Sequence, residues 1–90
     1  MIILSYDISN DKFRAKFSRF LEKYGHRIQY SVFEIDNSPK ILDNLILQIR
    51  NRFESKFSDC DSIYIFNLSS SCEIFRFGYA QHEENDIILA

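Results

Sequence analysis

The stretch that most constrains the fold stands at the start of the chain. Ile2-Ile3-Leu4-Ser5-Tyr6 is an apolar run closed by Asp7. It is too short for a stable helix, and polar turn residues bound it, so it reads as a strand. Near-continuous apolarity predicts an interior strand covered on both faces. Asp7 then falls where that strand leaves the core. The plain reading of such a residue is a turn carboxylate bonded to backbone amides. The sharper reading is a seat for a cation and a phosphodiester, because the helix that follows is basic.

That helix is capped by Ser9 or Asn10, with Asp11 in its first turn, where a negative charge suits the dipole. Phe13, Phe17, Phe20, Leu21 and Tyr24 recur at helical spacing and predict one buried face running to Tyr24. Lys12, Lys16, Arg19 and Lys23 form a basic row on the opposite side, a pattern that a solvated face shares. Gly25 predicts a left-handed C-terminal stop. From His26 to Ile35 the chain alternates. Ile28, Tyr30 and Val32 point one way, and Arg27, Gln29, Ser31, Phe33 and Ile35 the other. The stretch is long for a single strand, and Gln29–Ser31 is the place for a bend or break.

Ser38-Pro39 opens a second helix as N-cap and first helical residue, with Leu42, Leu45, Ile46, Ile49 and Phe53 as its buried stripe. Arg50, Arg52 and Lys56 crowd its last turns, where cations suit the dipole without any ligand. Asp59-Cys60-Asp61-Ser62 breaks that helix, and Ile63 to Leu68 is a strand apolar on both faces. Cys72 to Phe77 alternates weakly as a further strand, and Asp86 to Ala90 reads as a short apolar one. His82-Glu83-Glu84 are neighbours on a loop, and adjacent residues rarely converge on one ion.

Ninety residues with no linker or repeat predict one domain over 1–90, with a core in 1–78 and a C-terminal segment in 79–90. Two helices on one face of a mixed or antiparallel sheet give an α+β sandwich of ferredoxin-like type. Phe33, Ile35 and one side of the third strand are expected on the other face. Nine Phe, five Tyr and an apolar content of 46% exceed what so small a core easily hides. A second copy of the chain, packed on that face, is the simplest cover.

The net charge of −2 argues against a globally cationic nucleic-acid binder. Charge is uneven, however: residues 1–56 hold ten Lys/Arg against seven Asp/Glu, while 57–90 hold one against six. A polyanion site therefore belongs in the first half. Cys60 and Cys72 sit outside metal-ligand spacing and are expected as reduced, partly buried thiols. Met1 leads into a strand with no basic n-region, and no apolar stretch reaches membrane-spanning length, so a cytoplasmic chain is expected.

Tyr6-Asp7-Ile8-Ser9-Asn10-Asp11, then Arg14, then the run Phe20 to Glu34 with Tyr24-Gly25, Arg27, Gln29 and Ser31-Val32-Phe33-Glu34, resemble the CRISPR-associated endoribonuclease family. This is the small dimeric subunit that works with the integrase in acquiring new spacers. The resemblance implies a two-fold homodimer through the sheet faces, the C-terminal strand of each chain joining the other's sheet edge. It also implies that two copies of Asp7 share a divalent metal, usually Mg2+. Arg14, Arg27 and Phe33 match positions tied to nuclease activity or to the shape of the cleft, and Ser9 matches a polar site beside the carboxylate. Lys16 stands where Arg is frequent, which keeps the charge and gives up the bidentate fork.

Three functions remain open at this point: a Mg2+-dependent nuclease subunit of CRISPR adaptation, a non-catalytic DNA-binding scaffold of the integration complex, and a stand-alone toxin-like ribonuclease. DNA or RNA would be gripped by Lys12, Arg14, Lys16, Arg19 and Arg27. Ser9, Phe33 and Ile35 are expected at the cleft or dimer contact. A small-molecule regulatory module is disfavoured, because a chain with two Gly has no Gly-rich ligand loop.

Overall fold

A computed structural model describes residues 1–73, 75 and 77. The elements are β1 (Ile2–Asp7), α1 (Asp11–Leu21), β2 (Gly25–Gln29), β3 (Val32–Ile35), α2 (Pro39–Arg52), a short 3-10 turn (Glu54–Lys56) and β4 (Ser62–Asn67). The strands form one antiparallel sheet in the order β2-β3-β1-β4. Both helices contribute to a single core with one face of that sheet, which is the α+β sandwich expected. Among the described residues, no helix is long and apolar enough to cross a membrane.

Residues opposite one another in antiparallel strands share a face. The register therefore sorts the sheet. Ile2, Leu4 and Tyr6 lie with Ile35, Phe33, Ile65 and Ile63 toward the helices. There they meet Phe17, Phe20, Leu21, Leu45, Ile49 and Phe53. Phe17 and Phe53 stand edge to face at 5.1 Å between ring centres, and Phe20 and Phe53 are 4.7 Å apart. Aromatic residues of α1 thus interlock with Phe53, the residue that caps the end of α2.

Four expectations are corrected. First, β1 is not covered on both faces: Ile2, Leu4 and Tyr6 are buried, whereas Ile3 and Ser5 are only half-buried and Asp7 is exposed. Second, His26–Ile35 is not one strand. Tyr30 and Ser31 form a two-residue turn, and β2 and β3 pair back on each other with an irregularity between Arg27 and Gln29. Reversal puts Phe33 and Ile35 opposite Leu4 and Ile2 on the helix side, almost fully buried, so neither lies on the outer sheet face assigned to it. Third, α1 ends at Leu21, and Gly25 opens β2. Fourth, both cysteines are exposed, with free thiols.

The caps follow sequence logic. The Asn10 side chain accepts the Phe13 amide at 2.8 Å, and Ser38 Oγ accepts that of Ile41. Cys72, Glu73, Phe75 and Phe77 are not in a strand. The rest of that segment, His82-Glu83-Glu84 and the strand expected at Asp86–Ala90, lie outside the described residues.

Candidate nucleic-acid and metal site

Three strands converge where β1 ends. Asp7 pairs with Ser62 at the start of β4, and the Tyr6 amide donates to the Ser31 carbonyl at 3.0 Å. The hairpin tip, the end of β1 and the start of β4 are thus held together. The strand alternation that buries Tyr6 turns Asp7 to the open sheet face, where it is exposed and no hydrogen bond or ion pair among the described residues engages its carboxylate.

Ser9 is tied down by a residue that sequence reasoning missed. Its amide and its hydroxyl both donate to Asp61 Oδ1, at 3.1 and 3.2 Å, and the Ser58 amide donates to Oδ2 at 2.9 Å. Backbone amides, that of Ser58 foremost and then that of Ser9, hold the Asp61 carboxyl below the usual carboxylate range. The Asp7–Asp11 loop is thereby fastened to the loop before β4. Asp61 was legible only as part of a helix-breaking turn, because its partner Ser9 is far away in sequence.

On the helix side of the sheet the arginines are also engaged. Arg14 Nη1 donates to the Ile8 carbonyl at 2.9 Å, and Nη2 donates to Asp11 Oδ1 at 2.6 Å. The hydrogen bond to Asp11 leads the contributions that raise its pKa above the ordinary value. Arg27 donates to the Tyr30 carbonyl and to the Ser18 hydroxyl, and its guanidinium lies 5.2 Å from the centre of the buried Phe33 ring. Phe33 itself is fully buried and does not line the groove between α1 and the hairpin turn.

Arg14, Arg19 and Arg27 line one groove of about 350 Å3 between α1 and the hairpin turn, with Tyr6 as a wall and Tyr30 at its rim. Asp11 and Glu22 also line it. Asp7 does not, and neither do Lys12 and Lys16, which are exposed elsewhere on α1. The structure thus separates the expected residues, with Lys12 and Lys16 outside the groove on α1. Three arginines stand together on the helix side, and the carboxylate stands on the open side.

The open face carries Ile3, Ser5 and Asp7 of β1, Val32 and Glu34 of β3, and Ser62, Tyr64 and Phe66 of β4. Tyr64 and Phe66 are 61% and 46% exposed and stack on each other, 6.1 Å between ring centres. Among the described residues no three His, Cys, Asp or Glu side chains gather to hold a metal ion. Asp7 offers one hard oxygen donor group per chain, which fits Mg2+ only as part of a larger set, since that ion keeps several waters and takes one or two carboxylates.

Comparison with known proteins completes the picture. The family model described as CRISPR associated protein Cas2 matches residues 1–74. A CRISPR-associated endoribonuclease Cas2 of Methanospirillum hungatei is 38% identical over 72 residues, covering 80% of this chain and 76% of that one. A hypothetical protein of Thermus thermophilus superposes with a TM-score of 0.72 at 27% identity, over 87% of this chain and 89% of its own. A chain in a partial Cas6-RT-Cas1–Cas2 complex gives 0.64 at 36% identity, over 77% and 78%. The matched segment runs from β1 through β4 and includes both the Asp7 strand end and the hairpin, so this chain belongs to the CRISPR-associated protein Cas2 family.

Proposed function

We propose that this chain is a cytoplasmic, homodimeric subunit of CRISPR adaptation that binds nucleic acid, works with an integrase, and cleaves phosphodiesters with Mg2+ at a site built from two copies of Asp7. The observation that carries this reading is the position of Asp7. It is an exposed carboxylate on the sheet face where, among the described residues, Tyr64 and Phe66 stay open to solvent, at the end of the strand that runs through the sheet's centre. A second copy packed on that face brings a second carboxylate and removes Tyr64 and Phe66 from water. Two carboxylates brought close repel, and a cation bound between them relieves that repulsion. When bound, Mg2+ supplies positive charge to the phosphoryl oxygens and makes water more acidic. Lys12, Lys16 and Arg19 point to solvent and suit backbone phosphates, whose contacts position a strand without reading its sequence. The endoribonuclease relatives support the reaction class, and the solved relative within a Cas1–Cas2 assembly supports the integrase partner.

A non-catalytic scaffold is the second reading, and one observation favours it. Arg14 and Arg27 each donate to a backbone carbonyl of their own chain, so their first role is to hold the cleft. The test is Asp7→Ala, assayed for Mg2+-dependent cleavage and separately for spacer integration with the integrase. The nuclease reading expects cleavage to vanish; cleavage that survives overturns it. Integration that survives while cleavage is lost selects the scaffold as the biological role.

A further inference from the structure

We propose that the groove between α1 and the β2–β3 turn binds one unpaired nucleotide of a single strand, its base stacked on Tyr30 and its phosphate held by Arg14 and Arg27. The inference rests on the nucleic-acid-binding part of the reading above and not on the Mg2+ chemistry.

Tyr30 is 70% exposed at the tip of a tight turn, yet its mount is rigid. Its own carbonyl accepts from Arg27, and the next carbonyl, Ser31, accepts the Tyr6 amide. An aromatic ring held out to solvent on a fixed backbone loses little freedom when a base stacks on it, and stacking tolerates any base. The Arg14 guanidinium lies 5.8 Å from the ring centre. Anchored through the Ile8 carbonyl and Asp11, it has used two of five donors. Arg27 is anchored likewise by Tyr30 and Ser18. Guanidinium planes fixed at two points offer their remaining donors to a phosphate without first being ordered.

Size and charge agree. About 350 Å3 is at the small end of ligand pockets, enough for a nucleotide and too little for a duplex. The lining holds three arginines against Asp11 and Glu22, and Asp11 is already paired with Arg14. A small net positive charge suits one phosphate. Bases of an intact duplex are stacked on each other and cannot reach the Tyr30 face, so the groove selects an unpaired residue. The rival account is that Tyr30 only shields Arg14 by a cation–π contact.

The test uses the full chain carrying Asp7→Ala, in EDTA, so that cleavage does not intervene. Affinities are measured for a single-stranded oligonucleotide with 2-aminopurine and for its duplex, as DNA and as RNA. Tyr30→Ala is expected to weaken single-strand binding by about 5- to 150-fold, with Tyr30→Phe and duplex binding changed by less than about twofold. Quenching of 2-aminopurine by the chain with Tyr30 intact, lost in Tyr30→Ala, reports the stack directly. Unchanged affinity in Tyr30→Ala overturns the inference, as does an equal loss for duplex. If Tyr30→Ala does not fold, the absence of quenching with Tyr30 intact overturns it alone. Binding of duplex but not of single strand also overturns it and leaves the adaptation reading standing.

Discussion

At the scale of single residues, the site is held by side chains whose partners are distant in sequence. Asp61 accepts from Ser9 across 52 positions, and this clasp keeps the loop after Asp7 in place. Its folded-state pKa lies below the ordinary carboxylate value, so its contribution to stability is fully present above that value. The contribution is lost as pH falls through the folded pKa. Asp61→Asn removes that dependence, and the new amide also sets an N–H against the Ser58 or Ser9 donors. Urea midpoints for the two proteins are expected to differ at pH 7 and to approach each other below about pH 4. A constant gap across that range would show that the carboxylate charge is not what holds the loops. Some of the site was legible in the sequence, and some was not. Asp7 could be placed at a strand end, Ser38 as a cap, and the first helix's cap at Ser9 or Asn10, because those arguments use neighbours within four residues. Asp61 and Tyr30 could not, because one acts across the fold and the other matters through its exposure at a turn.

At the scale of elements, the hairpin explains the main misreading. Alternation with period two is the same in one long strand and in two strands joined by a two-residue turn, so His26–Ile35 gave no sign of direction. Reversal through Tyr30–Ser31 and the irregularity at Arg27–Gln29 sent Phe33 and Ile35 into the core and left Val32 and Glu34 on the open face. The same pairing explains Gly25. It stands opposite Ile35, and a Cβ there would lie 2.0 Å from the Glu34 carbonyl oxygen and 2.8 Å from the Ile35 Cα. Those are backbone atoms that cannot turn aside. The glycine is needed for close approach of two strands, and not for a left-handed stop. Gly25→Ala is therefore expected to lower stability by about 1–3 kcal/mol, the usual cost of forced overpacking. The change should appear as a lower urea midpoint with the slope unchanged. A midpoint equal to that of the unaltered chain would mean that β2 and β3 separate at no cost.

At the scale of the whole molecule, the sheet has one face dressed for water and for something else at once. Ser5, Asp7 and Glu34 share it with Ile3, Val32, Tyr64 and Phe66. The composition points to a surplus of large apolar side chains; Phe33 and Ile35 are core, and Tyr64 and Phe66 of β4 carry part of that surplus at the surface. If a second copy covers this face, Tyr64→Arg with Phe66→Arg sets like charges against each other across the two-fold axis. The double variant is expected to sediment as a monomer at concentrations where the unaltered chain is a dimer. Its circular dichroism should be unchanged, because neither side chain belongs to the core. A dimer that survives both substitutions uses another surface. The consequence for chemistry follows from the single carboxylate each chain offers: the monomer should lose Mg2+-dependent cleavage as fully as Asp7→Ala, while still binding single strands through the groove on the opposite side of the sheet. A monomer that cleaves would mean that one copy of Asp7 is enough, and the two-chain site would have to be given up.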